Sequence, residues 1–240
     1  MSDQCKFDVF VTPAAHAINR ARLEHLASLG LDLSNKAVLE VGAGIGLHTA
    51  FFEERGCTVL STDGSPDNVA EIARRYPHRR VAVLDLDAPS DIGRLGEFDV
   101  VYCYGTLYHL SRPEQALHAL ASVCRDMILV ETCVSSGAYP ELHPVRESPA
   151  ANMAISLIGC RPTRQWVLET LRGCFGYACV TKTQPRYKDF ELDWQIPRSQ
   201  ELHRAVFVGS KRPLTNENLL NELPELQVHA EHDTAIAQGP

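Results

Sequence analysis

Through the first 130 residues, short apolar runs alternate with amphipathic stretches. The runs at 37–41, 57–62, 80–86, 98–103 and 127–132 have the length and composition of buried strands. Between them lie helix signals. Ser65-Pro66 offers a capping serine and a proline at the first helical position, for a helix running to about residue 76. Ser111-Arg112-Pro113-Glu114 has capping-box spacing ahead of the apolar stripe Ala116, Leu117, Leu120 and Val123. Before the first strand, Thr12-Pro13 opens a helix whose stripe is Ile18, Ala21, Leu26 and Leu29, ended by Gly30. Strands alternating with helices at this spacing predict an α/β fold, a doubly wound and mostly parallel sheet with helices on both faces.

The pattern changes after residue 132. Gly137, Pro140, Pro144, Pro149 and Pro162 break up residues 133–162, whose one short apolar segment, 153–158, has no clear period. This stretch reads as an insertion covering a substrate. Thr163 then caps a helix bearing Trp166, Val167, Leu171 and Phe175, and residues 177–183 and 203–209 alternate as strands with no helix between them. Two such strands pair antiparallel, which predicts one reversed strand. The expected organisation is a helical cap over 1–36, a main domain over 37–213 and an acidic, flexible tail over 214–240.

Length and composition limit the classes that fit. One α/β unit absorbs about 200 residues, so 240 residues imply a single domain plus ends. No apolar run approaches the roughly 18 residues of a membrane helix, and Asp3 and Asp8 stand where a secretory leader carries positive charge. Eight cysteines include no Cys-x-x-Cys pair and fall where small apolar residues would, which fits reduced thiols and a cytoplasmic location. The net charge is −7, yet Glu217, Glu222, Glu225, Glu231 and Asp233 follow Arg212 with no Lys or Arg among them. The body is therefore nearly neutral and has no global attraction for polyphosphate. A local patch from Arg161, Arg164, Arg172, Lys182, Arg186 and Lys188 is the exception to test.

The richest chemistry lies in LEVGAGIG at 39–46. Gly42, Gly44 and Gly46 let the backbone turn tightly and approach a ligand, with Ala43 inside the same turn. A dinucleotide fingerprint would place its third glycine where Leu47 stands and has no use for Glu40 in the strand. A carboxylate there suits a cationic amino-acid head group instead, and so S-adenosylmethionine.

Four motifs stand in order: LEVGAGIG at 39–46, VLSTDGS at 59–65, VAVLDLD at 81–87 and FDVVYCYGTLYHL at 98–110. On these, residues 37–210 resemble a class I S-adenosylmethionine-dependent methyltransferase, a family with a seven-stranded Rossmann-like sheet whose last hairpin is reversed. YGTLYHLSRP, ILVET and PTRQWVLETL look like the small-molecule branch, with local similarity to tRNA wobble-uridine carboxymethyltransferase relatives. The resemblance implies that Asp63 accepts hydrogen bonds from the ribose hydroxyls, with Gly64 beside it, and that Asp85 and Leu86 clasp adenine, with Asp87 a competing candidate. It places Glu40 at the amino-acid end of the cofactor and Tyr104 at the cofactor-facing rim. Each has a plainer alternative: a turn former at Asp63, a supporting buried acid at Glu40, a loop start at Asp85.

Tyr108 and His109 follow the fourth strand, at the edge where open α/β sheets bind ligands, and are the candidates to meet the substrate. His109 is the candidate base for a hydroxyl proton; Glu131, ending the fifth strand, is expected to orient the substrate or pair with His109. A structural histidine and a buried supporting acid are the alternatives. Tyr108 packing beneath the cofactor is a third. His16, His48, His143 and Cys133 have no metal-site spacing. The reading is methyl transfer to a small acceptor, at oxygen in preference to nitrogen or carbon. A tRNA-modifying enzyme, a non-catalytic cofactor-binding domain and a nicotinamide dehydrogenase are the competing readings. The acceptor pocket is expected to come from the first 30 residues and from residues 133–162.

Overall fold

A computed structural model describes residues 6–149, 152–196 and 203–231. Pro13–Ser28 forms helix α1, whose Thr12 hydroxyl accepts the Ala15 N–H. The first half then alternates as the pattern predicts: β1 (Ala37–Val41), α2 (Thr49–Glu53), β2 (Thr58–Asp63), α3 (Pro66–Arg75), β3 (Arg80–Val83), β4 (Phe98–Tyr104), α4 (Pro113–Val123) and β5 (Cys124–Val134). The second half holds β6 (Leu142–Arg146), β7 (Ile158–Pro162), α5 (Arg164–Phe175), β8 (Tyr177–Thr181), β9 (Thr183–Gln184), β10 (His203–Ser210), β11 (Leu219–Leu220) and β12 (Val228–His229).

The main sheet has the order β11-β8-β10-β5-β4-β1-β2-β3. Strands β3, β2, β1, β4 and β5 are parallel, and β10 runs antiparallel between β5 and β8. These seven strands are the doubly wound, mostly parallel sheet with one reversed strand that the alternation predicts. An eighth, β11, was not expected: Leu219 and Leu220 pair antiparallel with Thr181 and Val180. Val228–His229 likewise pairs with Thr183–Gln184. The reading of the tail as loose is therefore corrected for residues 214–231. Acidic composition there hides apolar residues, and Leu219 is buried against the second core. Residues 232–240 lie outside the described part.

The sheet buries both faces. On one, Leu117, Leu120, Val167 and Leu171 of α4 and α5 pack against Val101, Ile128 and Phe207. On the other, Leu26 and Leu29 of the N-terminal segment and Phe52 of α2 pack against Val38, Val100 and Leu129. Burying each such side chain stabilises the fold by about 1.5–3 kcal/mol.

Two local readings change. Ser111 does not cap α4: its N-cap is Arg112, with no side-chain cap of its own. Asp87 Oδ1 instead accepts the Ser111 N–H at 2.8 Å and the Arg112 N–H at 3.0 Å, so a carboxylate from the loop after β3 meets the positive end of the helix. The insertion is not an irregular loop: β6 and β7 form an antiparallel hairpin, with Leu142 opposite Pro162 and Arg146 opposite Ile158. Pro144 and Pro162 fit because this two-stranded sheet is all edge. Among the described residues no helix is long and apolar enough to cross a membrane.

Candidate active site

A cavity of about 470 Å³ opens at the carboxyl ends of β1, β2 and β4. Its floor is the glycine loop. Gly42 has φ +63°, and a Cβ there would lie 2.1 Å from Thr106 Oγ1; at Gly44, φ +58°, a Cβ would lie 2.7 Å from the Phe10 ring. Both positions exclude any side chain, by conformation and by space. Gly42, Ala43 and Gly44 line the cavity, whereas Gly46 does not. Gly46 belongs to the packing behind the loop, where its carbonyl accepts Arg79 Nη1 at 2.8 Å and a Cβ would crowd Ile72. Its expected ligand contact is corrected accordingly.

Two buried carboxylates stand on neighbouring strand ends. Glu40 Oε2 accepts the hydroxyls of Thr49 at 2.6 Å and Ser61 at 2.7 Å, which leaves Oε1 without a protein partner among the described residues. Burial pushes the Glu40 carboxyl above its ordinary value, against those two hydroxyl donors. A cation at Oε1 would relieve that cost. Asp63 Oδ2 accepts the Gly44 N–H at 2.8 Å, and Oδ1 accepts the Ser65 N–H at 2.8 Å and the Asn68 side-chain amide at 3.1 Å. Burial raises Asp63 too, opposed by the Ser65, Gly44 and Asn68 donors and by the charge of His109. Gly64, Asp85 and Leu86 join this wall, and Asp85 Oδ1 is held by the Asp87 N–H at 2.9 Å. Asp87 lines the cavity as well, but Oδ1 is committed to α4.

Further lining residues follow the end of β4. Tyr104 stacks on Tyr102 with ring centroids 4.5 Å apart, and the Tyr104 hydroxyl is buried without a partner among the described residues. Tyr108 and His109 line the cavity, with ring centroids 4.0 Å from each other. His109 Nδ1 lies 2.6 Å from an oxygen of Glu147, which also accepts the Ala154 N–H at 2.8 Å. Burial alone would raise the Glu147 carboxyl; the His109 and Ala154 hydrogen bonds and the charges of His109 and Arg161 outweigh it and hold it below its ordinary value. An ionised carboxylate can only accept, so Nδ1 carries the proton and Nε2 is the nitrogen left to take one.

Glu131 is not where it was expected. It neither lines the cavity nor meets His109; it is fully buried between Arg22 Nη2 at 2.7 Å and Arg204 Nη1 at 3.0 Å. The carboxylate is desolvated, yet the two guanidinium charges and their hydrogen bonds keep it below its ordinary value. It thus serves as the common counter-ion of two arginines that do line the cavity. β5 runs on to Val134, so Glu131 lies within the strand and does not end it; the partner on α1, 109 residues away, had no signal in local spacing.

Several lining residues were missed. Phe10, Asn19 and Arg22 come from the N-terminal segment, Met153, Ala154 and Ile155 from the hairpin connection, and Tyr187, Asp189 and Arg204 from the last part of the sheet. Both segments expected to shape the acceptor pocket contribute lining residues to this cavity. Glu147, the true partner of His109, was passed over within a proline-broken stretch. His48 lacks metal spacing but lines the cavity, its Nδ1 2.9 Å from the Tyr102 hydroxyl; burial pushes its pKa down to about 3. Among the described residues no group of three or more His, Cys, Asp or Glu is placed to hold a metal.

The donor set fits a cofactor that carries a sulfonium, an amino-acid head and a nucleoside. Carboxylates stand at the ends of β1 and β2 and just past β3, and the backbone between them is stripped of side chains. The methyltransferase domain family matches residues 39–127. The chain is 33% identical over 152 residues to the ubiquinone biosynthesis O-methyltransferase of Xanthomonas euvesicatoria pv. vesicatoria (strain 85-10), a match covering 60% of this chain and 56% of that protein. It thus spans about half the length of the curated relatives it matches. The N-terminal domain of EvdMO1, crystallised in the presence of SAH and D-fucose, superposes with TM-score 0.61 at 22% identity over 84% of this chain and 85% of that one. The 1,6-didemethyltoxoflavin-N1-methyltransferase of Burkholderia thailandensis, with 1,6-didemethyltoxoflavin and S-adenosylhomocysteine bound, superposes with TM-score 0.55 at 23% identity over 88% and 84%. Four ordered motifs, the strand order and these likenesses agree: residues 39–127 match the methyltransferase domain family, and the fold around them is that of class I S-adenosylmethionine-dependent methyltransferases.

Proposed function

We propose that the protein transfers a methyl group from S-adenosylmethionine to an oxygen of a small molecule held in the cavity. The observation that carries this reading is the pairing of His109 with Glu147 at 2.6 Å, in the cavity that Glu40 and Asp63 also line. Bound there, the cofactor supplies a methyl carbon on a sulfonium leaving group. The chain's task is then to position the acceptor in line and exclude water. Glu40 and Asp63 hold the cationic and ribose ends, and the loop from Gly42 to Gly44 passes beneath. His109 Nε2 takes the hydroxyl proton as the new bond to oxygen forms, and Glu147 keeps the ring in the required tautomer.

Cavity size supports a small acceptor, since about 300–1,000 Å³ is the range of small-ligand sites. So does the fate of the basic residues. Arg161 is drawn to Glu147, Arg164 lies over Trp194 and donates to the Pro224 carbonyl, Arg172 donates to the Asn221 carbonyl and Arg186 to that of Ala230. Cations spent on internal contacts do not form a row facing phosphates, so nucleic acid is disfavoured. All seven cysteines among the described residues are unpaired, which fits a cytoplasmic enzyme.

Labelled methyl transfer from S-adenosylmethionine into a metabolite extract, followed by mass analysis of the product, tests the reading. An O-methylated small molecule is the expected product. Transfer to nitrogen or carbon, or to tRNA alone, overturns it. His109→Ala separates base catalysis from positioning: turnover falls while S-adenosylhomocysteine still binds.

A further inference from the structure

Among the described residues, four buried polar atoms near the cavity have no hydrogen-bond partner: Arg22 Nε, Arg204 Nε, the Tyr104 hydroxyl and His48 Nε2. All four residues line the cavity. Buried groups are ordinarily satisfied, so four orphans carried by residues that line one cavity mark that wall as under-satisfied. Their chemistry is one-sided. Arginine Nε can only donate. His48 is neutral with its pKa near 3, and Tyr102 can donate to Nδ1, which makes Nε2–H a donor as well. The Tyr104 hydroxyl has its proton to offer, because burial raises its pKa.

The charge count leans the same way. Arg22 and Arg204 share the single buried carboxylate of Glu131. Asp189 approaches Arg204 Nε only to 3.9 Å and sits at the half-buried rim, too far to fill that donor. Arg161, beyond the Tyr108 ring, is matched by Glu147 at 3.7 Å. Two guanidinium groups therefore share one fully buried carboxylate, with Asp189 at the rim beside Arg204.

We propose that this wall anchors an oxyanion on the methyl acceptor, so that the substrate is an acidic small molecule whose carboxylate sits among Arg22, Arg204 and Tyr104 while its hydroxyl faces His109. This rests on the methyl-transfer reading and adds the substrate class. Glu131 holds both arginines, the Tyr108 hydroxyl accepts from Arg204 Nη2 at 3.3 Å, and Asn19 Oδ1 accepts from Arg22 Nη1 at 3.1 Å.

Calorimetry on the full chain saturated with S-adenosylhomocysteine tests it, using salicylate, lactate and malate, each against its methyl ester. Acids are expected to bind about tenfold or more tightly than their esters in at least one pair. Tyr104→Phe removes an orphaned hydroxyl without breaking any protein hydrogen bond, so it should fold normally and yet narrow the acid preference; Arg22→Gln, checked for folding by its melting temperature, should erase it. Equal response of acid and ester in every pair, no response included, overturns the proposal, as does an acid preference that survives both variants. The two readings fail separately. Absence of S-adenosylhomocysteine binding breaks the methyl-transfer reading, and the acid–ester comparison on the free protein then stands alone.

Discussion

Asp63, on one wall of the cavity, spends both oxygens on three protein donors, and Glu40 has one oxygen held by two hydroxyls. Across the cavity, Arg22, Arg204, Tyr104 and His48 each keep an atom unbonded. The first wall is preorganised, so its ligand meets groups already fixed. The second is incomplete without an occupant, and its buried donors carry a cost that binding would relieve. A wall of the first kind suits a cofactor common to many reactions; a wall of the second kind suits selection among acceptors.

The largest effect expected tests where the two walls meet. His109→Ala should lower kcat by about 10²–10⁴-fold. Steady-state rates with labelled cofactor, beside S-adenosylhomocysteine affinity, read this out, and an unchanged kcat would remove His109 from proton transfer. Next comes Glu131→Ala, which leaves two buried guanidinium groups without their shared counter-ion and should cost about 3–5 kcal/mol in denaturant unfolding. A loss under 1 kcal/mol would mean that the arginines are solvated rather than desolvated. Asp63→Ala should act on the other wall, weakening S-adenosylhomocysteine about 10–100-fold as a charge-assisted acceptor is lost. If the acid preference of the opposite wall vanished with it, the walls would not be independent.

The smallest effect is on pH. His25 on α1 is buried, with its pKa pushed down to about 4 by desolvation, against the Thr183 carbonyl that Nε2 meets at 3.0 Å. The folded protein keeps His25 neutral, whereas the unfolded chain protonates it near the ordinary histidine value of 6.5. Its contribution is thus present above pH 6.5 and is lost as pH falls through about 4. Melting curves from pH 8 to pH 4 should therefore show stability declining below pH 6.5, by about 1.4 kcal/mol per pH unit for this residue. His25→Gln should lessen the slope of that limb, leaving the part that buried His48 contributes over the same range. A limb of unchanged slope would assign it to other groups.

The same contrast explains how much the chain's pattern discloses. On the cofactor wall the bonded pairs are near in sequence: Thr49 to Glu40 spans 9 residues, Gly44 to Asp63 spans 19 and Ser61 to Glu40 spans 21. Such geometry follows from one strand, its turn and the next strand, so the motifs are readable, and only Gly46 was given a ligand role that belongs to packing. On the acceptor wall, His109 to Glu147 spans 38 residues, Arg204 to Glu131 73 and Arg22 to Glu131 109. Those contacts depend on how α1, the β6–β7 hairpin and β10 settle onto the sheet, which neither periodicity nor spacing encodes. Similarly, the helix-to-strand rhythm discloses seven strands, while Leu219–Leu220 hides its pairing in a two-residue strand among acidic neighbours.

The central claim is that Glu40, Asp63 and the intervening glycine loop hold S-adenosylmethionine or its demethylated product. Isothermal titration of the folded protein with S-adenosylhomocysteine, at two temperatures, tests it most directly. The account predicts one site per chain, lost or weakened in Asp63→Ala. No binding heat at either temperature, or binding that Asp63→Ala leaves untouched, would contradict it.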